Sequence, residues 1–235
     1  MRRFLISLAV MAFPLSGSAA PIPFDFTTLN GGAEGILPNS VIVAGVLAEG
    51  FLTNFTPEPL WLRNGSTDHG LGVCSEGSSN CSSGGGDVNE LSNEDRPEAI
   101  RLTLPAGGAR WTSLWVSSLD NGGSNNNESG ILEWSNSPTG FTPVNTFHFS
   151  FNTFNPSIEE DIVAAALAGG FDPTSRYVLF VADSTNCQSG SCNNDYLVWK
   201  GAYEQPSRLL VPEPGTVALL GAALTGLMLR RRKST

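Results

Sequence analysis

The chain has 235 residues, with 13 basic and 22 acidic side chains, a formal charge of −9 and 40% hydrophobic residues. Six of the basic residues but only one of the acidic ones lie in the first 20 and last 24 positions, so the body between them carries 7 basic and 21 acidic groups, close to −14. That surplus repels nucleic acid and anionic membrane surfaces, and about 190 residues suffice for one domain with a substantial core, without requiring two.

Met1-Arg2-Arg3 form a basic start, and Phe4 to Phe13 form a short apolar run. Pro14 and Gly17 break it, and Ser18-Ala19-Ala20 offer small residues to a peptidase. This is the three-part layout of a secretory signal peptide, predicted over residues 1–20 with signal peptidase as its processing partner. Pro21 is a poor residue after a scissile bond, so cuts after Ala19 and after Ala20 compete. The apolar run is too short for the ~20 residues of a membrane span. The Arg-Arg pair also fits a twin-arginine route, though with an incomplete surrounding pattern.

From residue 21 to 210 the chain reads as short apolar segments separated by Gly, Pro, Asn and Ser. Predicted strands are Phe24–Leu29, Val41–Ala48, Leu60–Arg63, Ala99–Leu104, Trp111–Leu119, Gly130–Trp134, Thr146–Asn152, Tyr177–Ala182 and Tyr196–Ala202. Ile100, Leu102 and Leu104 alternate with Arg101 and Thr103, and Phe147, Phe149 and Phe151 alternate with His148 and Ser150. That period belongs to half-buried strands. Tyr177 to Ala182 is apolar on both faces, as a central strand would be. Ser157 and Glu160 resemble a capping box, with helix formers from Ile162 to Ala168 and Gly169-Gly170 as the stop, which predicts one helix of about ten residues. The fold expected is all-β: a β-sandwich, jelly-roll-like, with one short helix.

The four cysteines form two local pairs, Cys74 with Cys81 and Cys187 with Cys192, each in a Gly/Ser/Asn-rich stretch. Outside the cell these are expected to be loop disulfides, with cross-pairing between the loops left open. Zinc is disfavoured, because neither spacing is CxxC and the second pair has no histidine. In GGGDVNELSNEDRPE, the side chains of Asp87, Glu90, Glu94, Asp95 and Glu98 put many oxygens in twelve residues. The alternatives are a calcium-braced loop, since calcium takes six to eight oxygens, and a solvated acidic loop; the stretch does not follow the EF-hand pattern. No other cofactor is indicated.

No catalytic residue emerges. GxSxG, HExxH and GxxxxGK[ST] are all missing. Of the two histidines, His148 reads as a surface residue and His69 as part of a Gly-rich turn after Asp68. Exposed aromatics would serve sugar stacking. The candidates are Trp61, Trp111, Trp115, Trp134, Trp199 and Tyr203, with Trp61, Trp134 and Trp199 nearest strand ends, against core packing for each.

The C-terminus, residues 211–235, contains an uncharged run from Gly215 to Leu229, about 22 Å long as a helix at ~1.5 Å per residue. That is short for a ~30 Å hydrocarbon core, so the predicted transmembrane helix is marginal. Arg230, Arg231, Arg232 and Lys233 follow as a basic stop that stays on the cytoplasmic side. Pro212-Glu213-Pro214, the small-residue apolar run and the arginine cluster together resemble the PEP-CTERM sorting signal. The resemblance implies handling by an exosortase, a membrane-embedded cysteine protease, in Gram-negative bacteria that make exopolysaccharide. The body is also similar to the uncharacterised β-rich bodies joined to this tail, in Gly70–Val73, in the acidic loop before Glu98-Ala99-Ile100-Arg101-Leu102, and in Asp195-Tyr196-Leu197-Val198.

The reading is an exported protein, transiently anchored in the inner membrane and then at the cell surface or extracellular. Its expected role is non-enzymatic, in matrix structure or carbohydrate binding, with exopolysaccharide as the expected ligand and no nucleic acid. The alternative is a secreted hydrolase acting on polysaccharide, which needs two carboxylates facing one cleft.

Overall fold

A computed structural model describes residues 19–65, 68–75, 90–92, 97–119, 128–141, 145–150, 159–183, 195–206 and 221. The elements in order are β1 (Ile22–Asp25), a 3-10 segment (Phe26–Gly32), β2 (Gly35–Ile36), β3 (Ser40–Val43), β4 (Val46–Leu52), β5 (Leu60–Asn64), β6 (His69–Val73) and β7 (Leu91–Ser92). They continue with β8 (Glu98–Thr103), β9 (Arg110–Ser117), β10 (Ser129–Ser135), β11 (Thr146–Ser150), β12 (Glu160–Asp161), α1 (Val163–Ala168), β13 (Tyr177–Ala182) and β14 (Asp195–Glu204). All lie within residues 20–205, which pack as one unit.

The strands form two antiparallel sheets. One runs β12-β9-β14-β6-β5-β2, with β1 and β7 also paired to β14; the other runs β11-β10-β13-β8-β4-β3. The predicted all-β sandwich is therefore what the chain forms. Alternation explains the second sheet. Ile100 and Leu102 of β8 point inward beside Val178 and Phe180 of β13, while Arg101 points outward to bind Glu49 of β4. Inward side chains from both sheets, among them Leu62, Leu71, Leu114, Val116, Leu132, Phe149, Phe180 and Val198, make one core. Burying each such side chain contributes about 1.5–3 kcal/mol.

Three predicted elements change. The apolar run Val41–Ala48 is a hairpin, not one strand. Ala44 and Gly45 both adopt positive φ, 48° and 85°, the two-residue geometry that matches strand twist. The Tyr203 hydroxyl donates to the Ala44 carbonyl at 2.8 Å and pins that turn. The predicted strand Phe24–Leu29 stops at Asp25, whose Oδ1 accepts from the amide and hydroxyl of Thr27 at 2.9 and 2.7 Å and starts the 3-10 segment. The predicted helix shortens to Val163–Ala168. Glu160 is not its capping partner, because it pairs with Val116 as a strand residue. Asp161 takes over, accepting from the Val163 and Leu114 amides at 3.1 Å, so it starts the helix and fastens it to β9. Ser157 lies outside the described residues.

Among the described residues no helix is long and apolar enough to cross a membrane. Most of the predicted signal peptide and, apart from Gly221, the whole predicted transmembrane tail lie outside them.

Candidate functional site

The outer face of the first sheet gathers two indoles, an imidazole and an ammonium. A bulge in β14 brings them together. Val198 pairs with Val116 and Lys200 pairs with Trp115, so Trp199 is an extra residue with no partner across the ladder. A bulge of this kind re-aims side chains and sharpens local twist. Here it sets Trp199 edge-on to Trp115 at 5.8 Å and edge-on to His69 of β6 at 4.1 Å. The Lys200 Nζ lies 3.3 Å from the centre of the Trp199 ring and 4.7 Å from that of Trp115, a cation–π arrangement on two faces.

Gly70 makes this possible. Its φ is 135°, and a Cβ there would sit 2.7 Å from the Val198 carbonyl oxygen and 2.9 Å from the Trp199 Cα. The neighbouring β6 backbone is therefore held directly against the bulge. Ser117 of β9 fixes it from the other side, its hydroxyl donating to the His69 carbonyl and its oxygen accepting from the His69 amide. The part-buried His69 ring has Nε2 3.3 Å from Glu159 Oε1, without hydrogen-bond geometry. Glu160, on β12 across from Val116, has its carboxyl pushed up by desolvation and then by Asp161.

Of the three tryptophans nearest strand ends, two take the core-packing alternative. Trp61 and Trp134 are buried, as are Trp111 and Tyr203, and Trp111 spends its N–H on the Ser175 carbonyl at 2.9 Å. Trp115 and Trp199 are the partly exposed pair. Sequence position alone did not separate them, because alternation along β14 breaks at the bulge.

A second group of polar side chains closes one end of the sandwich. Arg63 pairs with Glu90 and, at 3.4 Å, with Asp68, and the Ser118 hydroxyl lies 3.3 Å from each of those carboxylates. Glu98 is buried at the inward end of β8 and accepts from the Ser92 amide at 3.0 Å. Desolvation raises its carboxyl from 4.5 to about 8, against the opposing hydrogen bonds from Ser75 and Ser92. Of the five acidic residues proposed for calcium, Glu90 and Glu98 are thus committed to protein partners, while Asp87, Glu94 and Asp95 lie outside the described residues. Among the described residues no set of three His, Cys, Asp or Glu side chains converges as a metal cage. Cys74 is buried and disulfide-bonded; Cys81, Cys187 and Cys192 lie outside the described residues.

His148 is more than a plain surface residue. It stands on β11, half exposed, with Nδ1 2.9 Å from the Oδ2 of fully buried Asp183. Its partner is 35 residues away in the chain, so no local signal announced it. Elsewhere, a shallow pocket of about 220 Å³ beside the turn at Leu104–Ala109 is lined by Asn136, Thr174 and Arg176 and carries no carboxylate.

At the other end of the chain, residues 210–233 match the PEP-CTERM protein-sorting motif. The match spans Pro212, Glu213, Pro214, Arg230, Arg231 and Arg232, all outside the described residues. No curated protein and no solved structure matches the chain.

Proposed function

We propose that the body is a non-enzymatic module that holds an exported protein to exopolysaccharide, a reading that starts from a chain ending in a PEP-CTERM sorting motif. The motif marks an exported protein recognised by an exosortase, anchored in the membrane and then delivered to the surface. That destination is the observation that carries the proposal. The outer-face indoles support it: aromatic rings with a cation and a carboxylate nearby suit sugar rings and their hydroxyls. In this reading signal peptidase cuts after Ala19 or Ala20, Cys74 pairs with Cys81 and Cys187 pairs with Cys192. Calcium bracing of the Asp87–Glu98 loop is a further part of it, which chelation during the binding assay will expose.

The test is retention on exopolysaccharide extracted from the source cells. The exported protein is expected to be retained, and the double variant Trp115→Ala/Trp199→Ala to lose at least about tenfold in affinity, from stacking losses of roughly 1–3 kcal/mol per ring as measured for aromatic platforms on other ring ligands. Equal retention of the variant would remove the indoles from the site, and no retention of either would end the matrix-binding reading. Release of new reducing ends during incubation would assign a hydrolase instead.

A mass measurement on the exported form tests the processing. It is expected to lack residues up to Ala19 or Ala20 and to lack the basic C-terminus. An intact C-terminal mass would argue against exosortase cleavage.

A further inference from the structure

On the outer face of the second sheet, His148 of β11 lies directly across from Ile131 of β10, and Glu133 lies across from Thr146. His148 and Glu133 are therefore diagonal neighbours on one face, within reach of long side chains. Asp183, just past the end of β13, reaches the same histidine from the opposite direction along the sheet, since Asp183 bonds to the Ser129 carbonyl through its amide. The order along the face is Asp183, His148, Glu133.

This order has a chemical consequence. A carboxylate can only accept, so the contact with Asp183 places the proton on Nδ1. The Nε2 lone pair is then turned away from the buried acid, in a ring that is half exposed. Asp183 is itself fully buried, and burying a carboxylate is costly unless it is engaged. Its charge is felt behind the histidine as well: burial first, and Asp183 second, push the phenol of Tyr196 well above its ordinary value. On the open side lies Glu133, part-buried and diagonal to His148 across the β10–β11 pair.

We propose that His148 Nε2 and the Glu133 carboxylate are the two protein donors of a surface site for a divalent transition-metal ion, with Asp183 as the positioning residue that fixes the imidazole tautomer. Histidine ligands to such metals typically give their second N–H to a carboxylate, and removing that carboxylate weakens the metal about 10–100-fold. Imidazole with carboxylate suits zinc, nickel or copper better than calcium, which prefers oxygen alone. Water would fill the remaining coordination positions. The strongly acidic body raises the local concentration of divalent cations without choosing among them.

The experiment is calorimetric titration of zinc chloride into the untagged full chain in detergent, in metal-free buffer near neutral pH. One saturable equivalent is expected. His148→Ala should abolish it, Glu133→Gln should weaken it, and His69→Ala should retain it, which separates the two histidines of the chain. Asp183→Asn should weaken binding by about 10–100-fold. Because that variant removes a buried group, nitrogen resonances of the native His148 ring provide a second readout. Zinc should move Nε2 and leave the Nδ1 proton in place. Absence of saturable binding to the native chain, equal binding by His148→Ala, or a zinc-induced shift at Nδ1 instead would overturn the proposal.

Discussion

The folded body will lose stability as the pH is raised from about 4.5 through about 8, and Glu98→Gln will remove most of that loss. Glu98 sits at the inward end of β8, so its carboxyl occupies a position that Ile100 and Leu102 fill with hydrocarbon further along the strand. Desolvation disfavours the charged form, and the hydrogen bonds from Ser75 and Ser92 recover only part of the cost. Its folded value is raised above the unfolded one, so the folded state holds the proton more tightly. The resulting stability is complete below the unfolded value of 4.5 and is lost as the pH passes the folded value of about 8. The full swing is at most about 5 kcal/mol at about 1.4 kcal/mol per unit. Urea unfolding midpoints across that pH range check it. Glu133 and Glu160 are shifted in the same direction, so a weaker slope should remain in the variant. Native and variant proteins with parallel pH profiles would show that Glu98 is ionised and solvated in the fold.

Gly70→Ala is expected to destabilise the body by about 2–5 kcal/mol and to disturb the indole pair. Two costs combine. The residue has φ of 135°, which side chains rarely adopt, and the added methyl group meets the backbone of Val198 and Trp199 at 2.7–2.9 Å. Backbone cannot rotate aside as a side chain can, so β6 and β14 must separate at the bulge. Gly107→Ala is the control, since Gly107 has φ of 116° with nothing within 4 Å of the added atom. It should pay the conformational cost alone, about 1 kcal/mol or somewhat more. Urea midpoints give the stabilities, and tryptophan near-ultraviolet circular dichroism reports the Trp115–Trp199 geometry. Equal losses for the two variants, with an unchanged indole signal, would show that the bulge does not depend on Gly70.

The strands with clean alternation were legible in the sequence because one face meets the core and the other meets water. Ala99–Leu104 became Glu98–Thr103, and Tyr177–Ala182 appeared with its predicted bounds. Where both faces are apolar the signal blurs. Val41–Ala48 hid a turn, since Ala44 carries no turn signature and takes a positive φ only because Gly45 follows and Tyr203 holds it. The candidate site was less readable than the fold. Trp199 meets Trp115 through a register shift between two strands, and a register shift is a property of the pair. The two histidines were equally opaque: the partners of His69 and His148 come from β14, the start of β12 and the end of β13. The sorting motif was fully legible because its function resides in contiguous residues.

The position of β14 bears on how such a chain crosses a membrane. It is bonded to β1, β6, β7 and β9, yet it is the last of the fourteen strands in the described residues. Ile22, at the start of the first strand, pairs with Tyr203 near the end of the last. A polypeptide threaded N-terminus first therefore delivers thirteen strands before the one around which half of them are organised. Long-range pairing of this kind is slow to form, and the waiting strands expose open edges. A partly delivered chain therefore lacks the strand that completes the first sheet.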